Sequence, residues 1–275
     1  MKDTCPIRRV WARVWAPLLV LSSGVACTAL AAADRIAVIA HRGEHRAHPE
    51  NTLPAFQAAI DAGAGFFELD VRTTSDGRLV LMHDASVDRT TNGAGAVREM
   101  TFDQMRALDA GGKFSPQFAG TKVPSLEEAL ALAHDKIGVY VDSKAIAPAA
   151  LVAALTRADM LNQVVIYGGA GFLKNVQALS PSLKVMPEAY GAATLERLLA
   201  DLKPRVVAFD AGDFKDDAIA AAKRAGVDIY VDRLGSADNA SAWQDAIDRG
   251  AAGIQTDRPA ELVEYLRSRK LRKQD

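Results

Sequence analysis

From Ile36 onward, short apolar runs alternate with amphipathic stretches of helical period, and no other feature of the 275-residue chain restricts its fold so tightly. The runs read as strands are 36–40, 66–71, 79–82, 137–141, 164–167, 183–186, 206–209, 229–231 and 253–255. Between them lie helical stretches at 53–62, 125–134, 148–160, 172–179, 193–202, 216–225, 242–249 and 260–270. Strand and helix in strict alternation, joined by short connections, predict βαβ units and a mostly parallel sheet. The seven residues Arg72–Arg78 cannot hold a crossover helix, and Asp76-Gly77 is a hairpin turn, so the run at 79–82 returns antiparallel. Eight parallel strands then remain, which fits an α/β fold of the (β/α)8 TIM barrel type. An open doubly wound sheet is the alternative, but no Gly-x-Gly-x-x-Gly follows the first strand.

The beat fails twice. Residues 85–123, following the hairpin, carry Asn92-Gly93, Gly111-Gly112 and Pro116 with one short helical stretch at 102–108, and read as a small insertion or lid. Residues 1–33 lack strand–helix alternation altogether. Lys2, Arg8, Arg9 and Arg13 precede an uncharged run that ends in Ala31-Ala32-Ala33, the order of a secretory signal peptide. The expected domain is therefore 34–275, periplasmic or secreted, with no stable membrane span after processing. A retained anchor and a lipoprotein attached at Cys27 are the weaker readings, the latter because Gly24-Val25-Ala26 lacks a leucine three before the cysteine. Cleavage after Ala33 removes both cysteines and turns 33 basic against 34 acidic residues into 29 against 33. Neither balance is the basic footprint of a nucleic-acid binder.

Polar residues ending barrel strands are where such a fold does chemistry. Glu68 and Asp70 are two apart and share a strand face, which Phe66 in phase assigns to the barrel interior, with Phe67, Leu69 and Val71 facing helices. Two inward carboxylates repel unless protonated, ion-paired or bridged by a cation, and an all-oxygen set favours Mg²⁺, Ca²⁺ or Mn²⁺. Asp142 supplies a third carboxylate from the next parallel strand, and Lys144, two residues on, a cation for an anionic substrate. The bland alternative is an internal salt-bridge network of Glu68, Asp70 and Lys144. His41 ends the first strand and His83 the returning one, and two histidines beside a cation site suit acid–base cleavage of a phosphodiester. Arg42 offers the planar fork that matches phosphate oxygens. His45, His48 and His134 lack such company and read as surface residues, and Asp210 and Asp232 alone read as strands meeting water.

These residues carry a resemblance. His41-Arg42-Gly43, His48-Pro49-Glu50-Asn51-Thr52, Glu68-Leu69-Asp70-Val71, Asp76-Gly77, His83-Asp84, Asp88-Arg89-Thr90-Thr91-Asn92-Gly93 and Thr256-Asp257-Arg258-Pro259 resemble the glycerophosphodiester phosphodiesterase family in order and spacing. The resemblance implies a (β/α)8 barrel with an insertion after the second histidine. It also implies one divalent cation, Ca²⁺ or Mg²⁺, and hydrolysis of a small-molecule glycerophosphodiester to sn-glycerol 3-phosphate and an alcohol. Under it His41 and His83 are the catalytic acid and base, Glu68, Asp70 and Asp142 the metal ligands, and Arg42 and Lys144 the phosphate contacts. The chain departs from the family pattern in having Asp142-Ser143-Lys144 where Glu-x-Lys is common, and Asp232-Arg233-Leu234-Gly235 where Trp-Thr-x-Asn is frequent. Asn51 reads either as part of the family's loop or as a helix N-cap. Two other functions compete: a related barrel acting on intact phospholipids, which calls for an apolar rim at Met100, Phe102, Phe114 and Phe118, and a non-catalytic periplasmic binding barrel.

Overall fold

The structure is a computed structural model and describes residues 36–272 together with Met1 and Lys2. The chain divides into two compact units, Met1–Ala33 and Asp34–Asp275. The expected export signal and Cys27 lie outside the described residues. No helix among the described residues is long and apolar enough to cross a membrane.

The elements follow one another as the alternation predicts. They are β1 (Ala37–Ala40), α1 (Leu53–Asp61), β2 (Phe66–Thr73), β3 (Leu79–Leu81), α2 (Phe102–Ala107), α3 (Leu126–Ala133), β4 (Gly138–Ala145), α4 (Pro148–Arg157) and β5 (Val164–Tyr167). Then come α5 (Ala170–Leu179), β6 (Lys184–Met186), α6 (Ala192–Leu202), β7 (Val206–Phe209), α7 (Asp216–Ala225), β8 (Asp228–Arg233), α8 (Ala240–Asp248), β9 (Gly253–Thr256) and α9 (Pro259–Ser268). The parallel strands lie in the order β6-β5-β4-β2-β1-β9-β8-β7, with β3 antiparallel on β2. The ring closes just past β6, where the Ala189 N–H donates to the Ala208 carbonyl at 2.9 Å and the Ala208 N–H to that of Pro187 at 3.0 Å. This is the eight-stranded TIM barrel, and the open doubly wound sheet is excluded.

Strand alternation sorts the core into two layers. Ile39, Tyr140, Val165, Met186, Val206 and Ala208 fill the barrel with Phe66, Tyr167 and Tyr230 packed against them. The other face of the same strands, including Phe67, Leu69, Val71, Val139 and Val141, meets the helices. The β2 phase read from the sequence is therefore the observed one. The hairpin is also as expected, turning at Gly77 with φ +81°, a conformation glycine adopts at no steric cost.

β4 runs four residues further than its apolar stretch. The hairpin lengthens β2 to Thr73, and Val71 and Arg72 there offer partners to Ser143 and Ala145. Asp142 and Lys144 thus lie within a paired strand rather than past its end. Residues 85–123 build a separate small core, Val87, Val97, Met105, Ala110 and Val123 packing on Val80 of β3 and on Met82 just past it. Within it α2 starts on a reciprocal cap, Thr101 taking the Gln104 N–H and Gln104 returning to the Thr101 N–H. α3 starts on the same device with Ser125 and Glu128. Arg106 of α2 reaches Glu128 at 3.1 Å and the Val123 carbonyl at 3.0 Å, so the insertion is fastened to the barrel where α3 begins.

Candidate active site

The register of β2 against β4 sets Asp70 opposite Asp142 and Glu68 opposite Tyr140. Ligand atoms of Glu68, Asp70 and Asp142 come within 4.8 Å of one another, with Glu68 and Asp70 fully buried. Burial, and then the Asp70 and Asp142 charges, push the Glu68 carboxyl well above its ordinary range. Burial likewise raises Asp142 against the pull of Lys144. A group of buried carboxylates held this way is short of positive charge. Three hard oxygen donors without nitrogen or sulfur among them fit a Mg²⁺- or Ca²⁺-type cation.

Two cations already touch this cluster. Lys144 Nζ stands 2.6 Å from Asp142 and 3.2 Å from Asp70. Burial pulls its ammonium down, but Asp142 and Asp70 outweigh that and hold it above its ordinary value. Arg42 donates its backbone N–H to Glu68 at 2.8 Å and places Nε 3.5 Å from Asp70. It does so from a left-handed backbone, φ +53°, a conformation that costs a non-glycine residue energy and clusters at functional sites. The next residue, Gly43, also has positive φ, and a Cβ there would lie 2.7 Å from the Ala55 backbone carbon. The His-Arg-Gly turn is thus dictated by its close approach to α1.

Asn51 is not a helix cap. Thr52 occupies the cap position of α1, while buried Asn51 donates from its amide to Asp70 at 2.7 Å and accepts the Asp70 N–H at 3.0 Å. It thereby orients a candidate ligand carboxylate.

Each candidate catalytic histidine is backed by its own carboxylate. His41 Nδ1 donates to Asp257 at 2.8 Å, and His83 Nδ1 to Asp84 at 2.7 Å. Both contacts assign the proton to Nδ1 and leave Nε2 for exchange. Burial lowers His41 despite the bond to Asp257, so its imidazole is neutral near pH 7. Asp257 resists its own burial and is held down to about 2 by His41 and the Gly235 N–H. Asp84 lies well below the usual carboxylate range, first because of its bond from Arg89.

Arg89, from the insertion, also makes a two-pronged contact with Glu50 at 2.7 and 2.8 Å, and Glu50 accepts from Arg42 at 3.0 Å. A continuous chain of ion pairs therefore joins Arg42 to His83. The contributions of Asp257, Asp84, Glu50 and Arg89 were not assigned from sequence, although all four stand in the quoted motifs. Asp257 in turn is held by buried Asp238, which accepts the Asp257 N–H at 2.7 Å, the Thr256 hydroxyl at 2.8 Å and the Trp243 indole N–H at 2.7 Å.

Two residues that the sequence presents as bland are not. His45 is no isolated surface histidine: it packs edge-on against His41 with ring centres 5.3 Å apart and points Nε2 at Asp257 from 3.5 Å. Asp232 is pushed up to about 8 by burial and by Glu188, Asp210, Asp142 and Asp257. Asp210 does behave as a strand end, accepting the Gly212 and Asp213 N–H groups of its own turn. His48 pairs with Glu44, and His134 with Asp135, outside the cluster.

Comparison with known proteins agrees with this arrangement. The model of the glycerophosphoryl diester phosphodiesterase family matches residues 41–261. The chain is 32% identical over 240 residues to a glycerophosphodiester phosphodiesterase of Caldanaerobacter subterraneus, covering 84% of this chain and 97% of that protein. It is similar in fold to the crystal structure of a glycerophosphodiester phosphodiesterase from Agrobacterium tumefaciens, with a TM-score of 0.74, 30% identity, and coverage of 82% of this chain and 97% of that one. A phosphodiesterase of Oleispira antarctica, solved with its product sn-glycerol-3-phosphate, shares the fold at a TM-score of 0.78 and 22% identity, over 84% of this chain and 96% of its own.

Proposed function

This chain belongs to the glycerophosphoryl diester phosphodiesterase family, and from that premise we propose that it hydrolyses glycerophosphodiesters to sn-glycerol 3-phosphate and an alcohol, with His41 and His83 moving the protons. The observation that carries the assignment is the pair of histidines, each backed at Nδ1 by a carboxylate, beside three converging carboxylates. Nothing in a purely structural ion-pair network calls for two such dyads.

Glu68, Asp70 and Asp142 would hold the divalent cation, Mg²⁺ or Ca²⁺, which when bound supplies positive charge against the phosphate. Arg42 and Lys144 add the protein's own. Lys144 has three donors, two of which face Asp142 and Asp70, leaving one for a phosphate oxygen. One histidine accepts the nucleophile's proton at Nε2 while the other donates from Nε2 to the departing alkoxide. Asp257 and Asp84 keep the two rings oriented and stabilise the imidazolium each passes through.

The substrate is a water-soluble diester rather than an intact phospholipid. Met100 and Phe102 pack into the core of the insertion, and Phe118 packs against His48 and Phe114. Phe114, 43% exposed, is the one of the four left open, too little for a membrane-seeking rim. Export is read from residues 1–33, and N-terminal sequencing of the native protein should begin after Ala31 or Ala33 and not at Met1.

The deciding experiment is release of glycerol 3-phosphate from glycerophosphocholine, with and without a chelator. Release that stops on chelation and returns with Mg²⁺ or Ca²⁺ is expected, and His41→Ala should lower turnover by roughly 10²–10⁴-fold. Full activity in chelator would remove the cation from the carboxylates, and near-wild-type activity of His41→Ala would remove the histidine from the chemistry.

A further inference from the structure

We infer that His41, His45 and Asp257 form a second metal site, taking a nitrogen-seeking transition ion such as Zn²⁺, and that filling it switches turnover off. Each of the three offers a ligand atom, and these atoms lie within 4.8 Å of one another. Asp257 Oδ1 is 2.8 Å from His41 Nδ1 and 3.5 Å from His45 Nε2. A tetrahedral zinc ion with bonds of about 2.0–2.1 Å holds its ligand atoms about 3.3 Å apart. The two observed separations bracket that value, so small side-chain rotations suffice.

The surroundings are those of a metal ligand set. His45 Nδ1 donates to the His41 carbonyl at 2.6 Å, the backbone contact that commonly fixes the tautomer of a ligating histidine. That bond leaves a lone pair on Nε2, facing the lone pairs of an ionised carboxylate. Two acceptors at 3.5 Å repel until a proton or a metal comes between them. The second oxygen of Asp257 is already satisfied by the Gly235 N–H at 3.0 Å.

Access exists as well. A cavity of about 340 Å³, lined by His45, Arg46, Gly235, Asp238, Asp257 and Arg258, leaves room for a water in the fourth position. Its two arginines, Arg46 and Arg258, share the Glu261 carboxylate, which offsets one of their two charges, and ionised Asp257 offsets the other. The two sites sort ions by chemistry, hard cations going to Glu68, Asp70 and Asp142 and nitrogen-seeking ones to the imidazoles.

Occupancy follows from geometry alone, whereas loss of turnover rests on the proton-transfer role proposed for His41. Metal on His41 Nδ1 takes the lone pair that the Nδ1–H bond now uses, and the ring's single proton moves to Nε2. No net proton is lost, but Nε2 can no longer accept one, and the acid–base cycle stops.

The test uses the full chain saturated with Mg²⁺, to which zinc is added, with its shell read by X-ray absorption and turnover read separately. Two imidazole nitrogens at about 2.0 Å are expected, with inhibition that added Mg²⁺ does not relieve. His45→Ala, compared with and without zinc against its own activity, should weaken zinc binding by roughly 100-fold or more and escape inhibition. An all-oxygen shell, or inhibition reversed by Mg²⁺, overturns the site, and this reading of the wild type does not depend on the variant folding. Zinc on two imidazoles with turnover intact overturns the switch and also the role of His41.

Discussion

Asp257 and His41 are 216 residues apart in sequence, yet the carboxylate bonds the ring at 2.8 Å. The link is made by the first and last strands of the barrel, which pair from Ala37 on Gly253 to Ala40 on Thr256, with the His41 N–H donating to the Thr256 carbonyl. Asp257→Asn keeps the shape but reverses a bond, because the amide can donate where the carboxylate only accepted. Steady-state kinetics should show kcat falling by about 10²–10⁴-fold with KM much less affected. Equal loss in both would mean that Asp257 serves substrate binding. The sequence places Asp257 at the end of the last strand without a role, since nothing local joins it to His41. Closure of the ring is the one signal that could have done so. Glu68 and Asp70 are the opposite case, legible because alternation on a single strand decides their face. Asn51 lies between these cases: helix-cap chemistry and ligand support look alike in sequence, and positive φ at Asn51 turns the side chain to Asp70.

At the scale of elements, most strand boundaries lie within two residues of the apolar runs, because strands such as β5, β7 and β9 are short, almost wholly buried segments. The exception is β4, which runs past its apolar stretch through Asp142, Ser143 and Lys144 to Ala145, with Ser143 and Ala145 paired to Val71 and Arg72 where the hairpin lengthens β2. No count of β4's own side chains shows that. The insertion is stitched to the barrel by the start of α3, where Ser125 caps and Glu128 serves both the cap and Arg106. Ser125→Ala should therefore cost about 1 kcal/mol in urea denaturation. Hydrolysis should be retained, since no ligand or histidine hangs from that cap. A lost activity at full stability would show that α3 positions the site. Arg89 is the second stitch, and its truncation takes one partner from Asp84 and Glu50 at once, leaving His83 on the first and Arg42 on the second.

Across the whole molecule, charge is unevenly distributed around the ring. Every group assigned to the chemistry hangs from the contiguous strands β4, β2, β1 and β9 or from the β3 hairpin, while Glu188, Asp210 and Asp232 stand on the other side. Asp232 titrates at about 8 in the folded protein against an ordinary 3.8. Its folded value is raised, so the stability it contributes is fully present below pH 3.8 and is lost as pH rises towards 8. Asp232→Asn, which cannot ionise, should raise Tm more at pH 8 than at pH 4.5 by calorimetry. An equal change at both pH values would mean that Asp232 is solvated and titrates normally.

Two amide bonds between residues 187–189 and Ala208 do the work that full strand pairing does elsewhere in the ring. The barrel is in that sense a hoop with one light clasp, and the clasp sits across from the histidines and carboxylates. Mechanical slack is therefore separated from chemical precision. Substitutions beside β6 and β7 therefore act on a seam held by two amide bonds, while the strand pairing beneath His41, Glu68, Asp70 and Asp142 is continuous from β4 through β2 and β1 to β9.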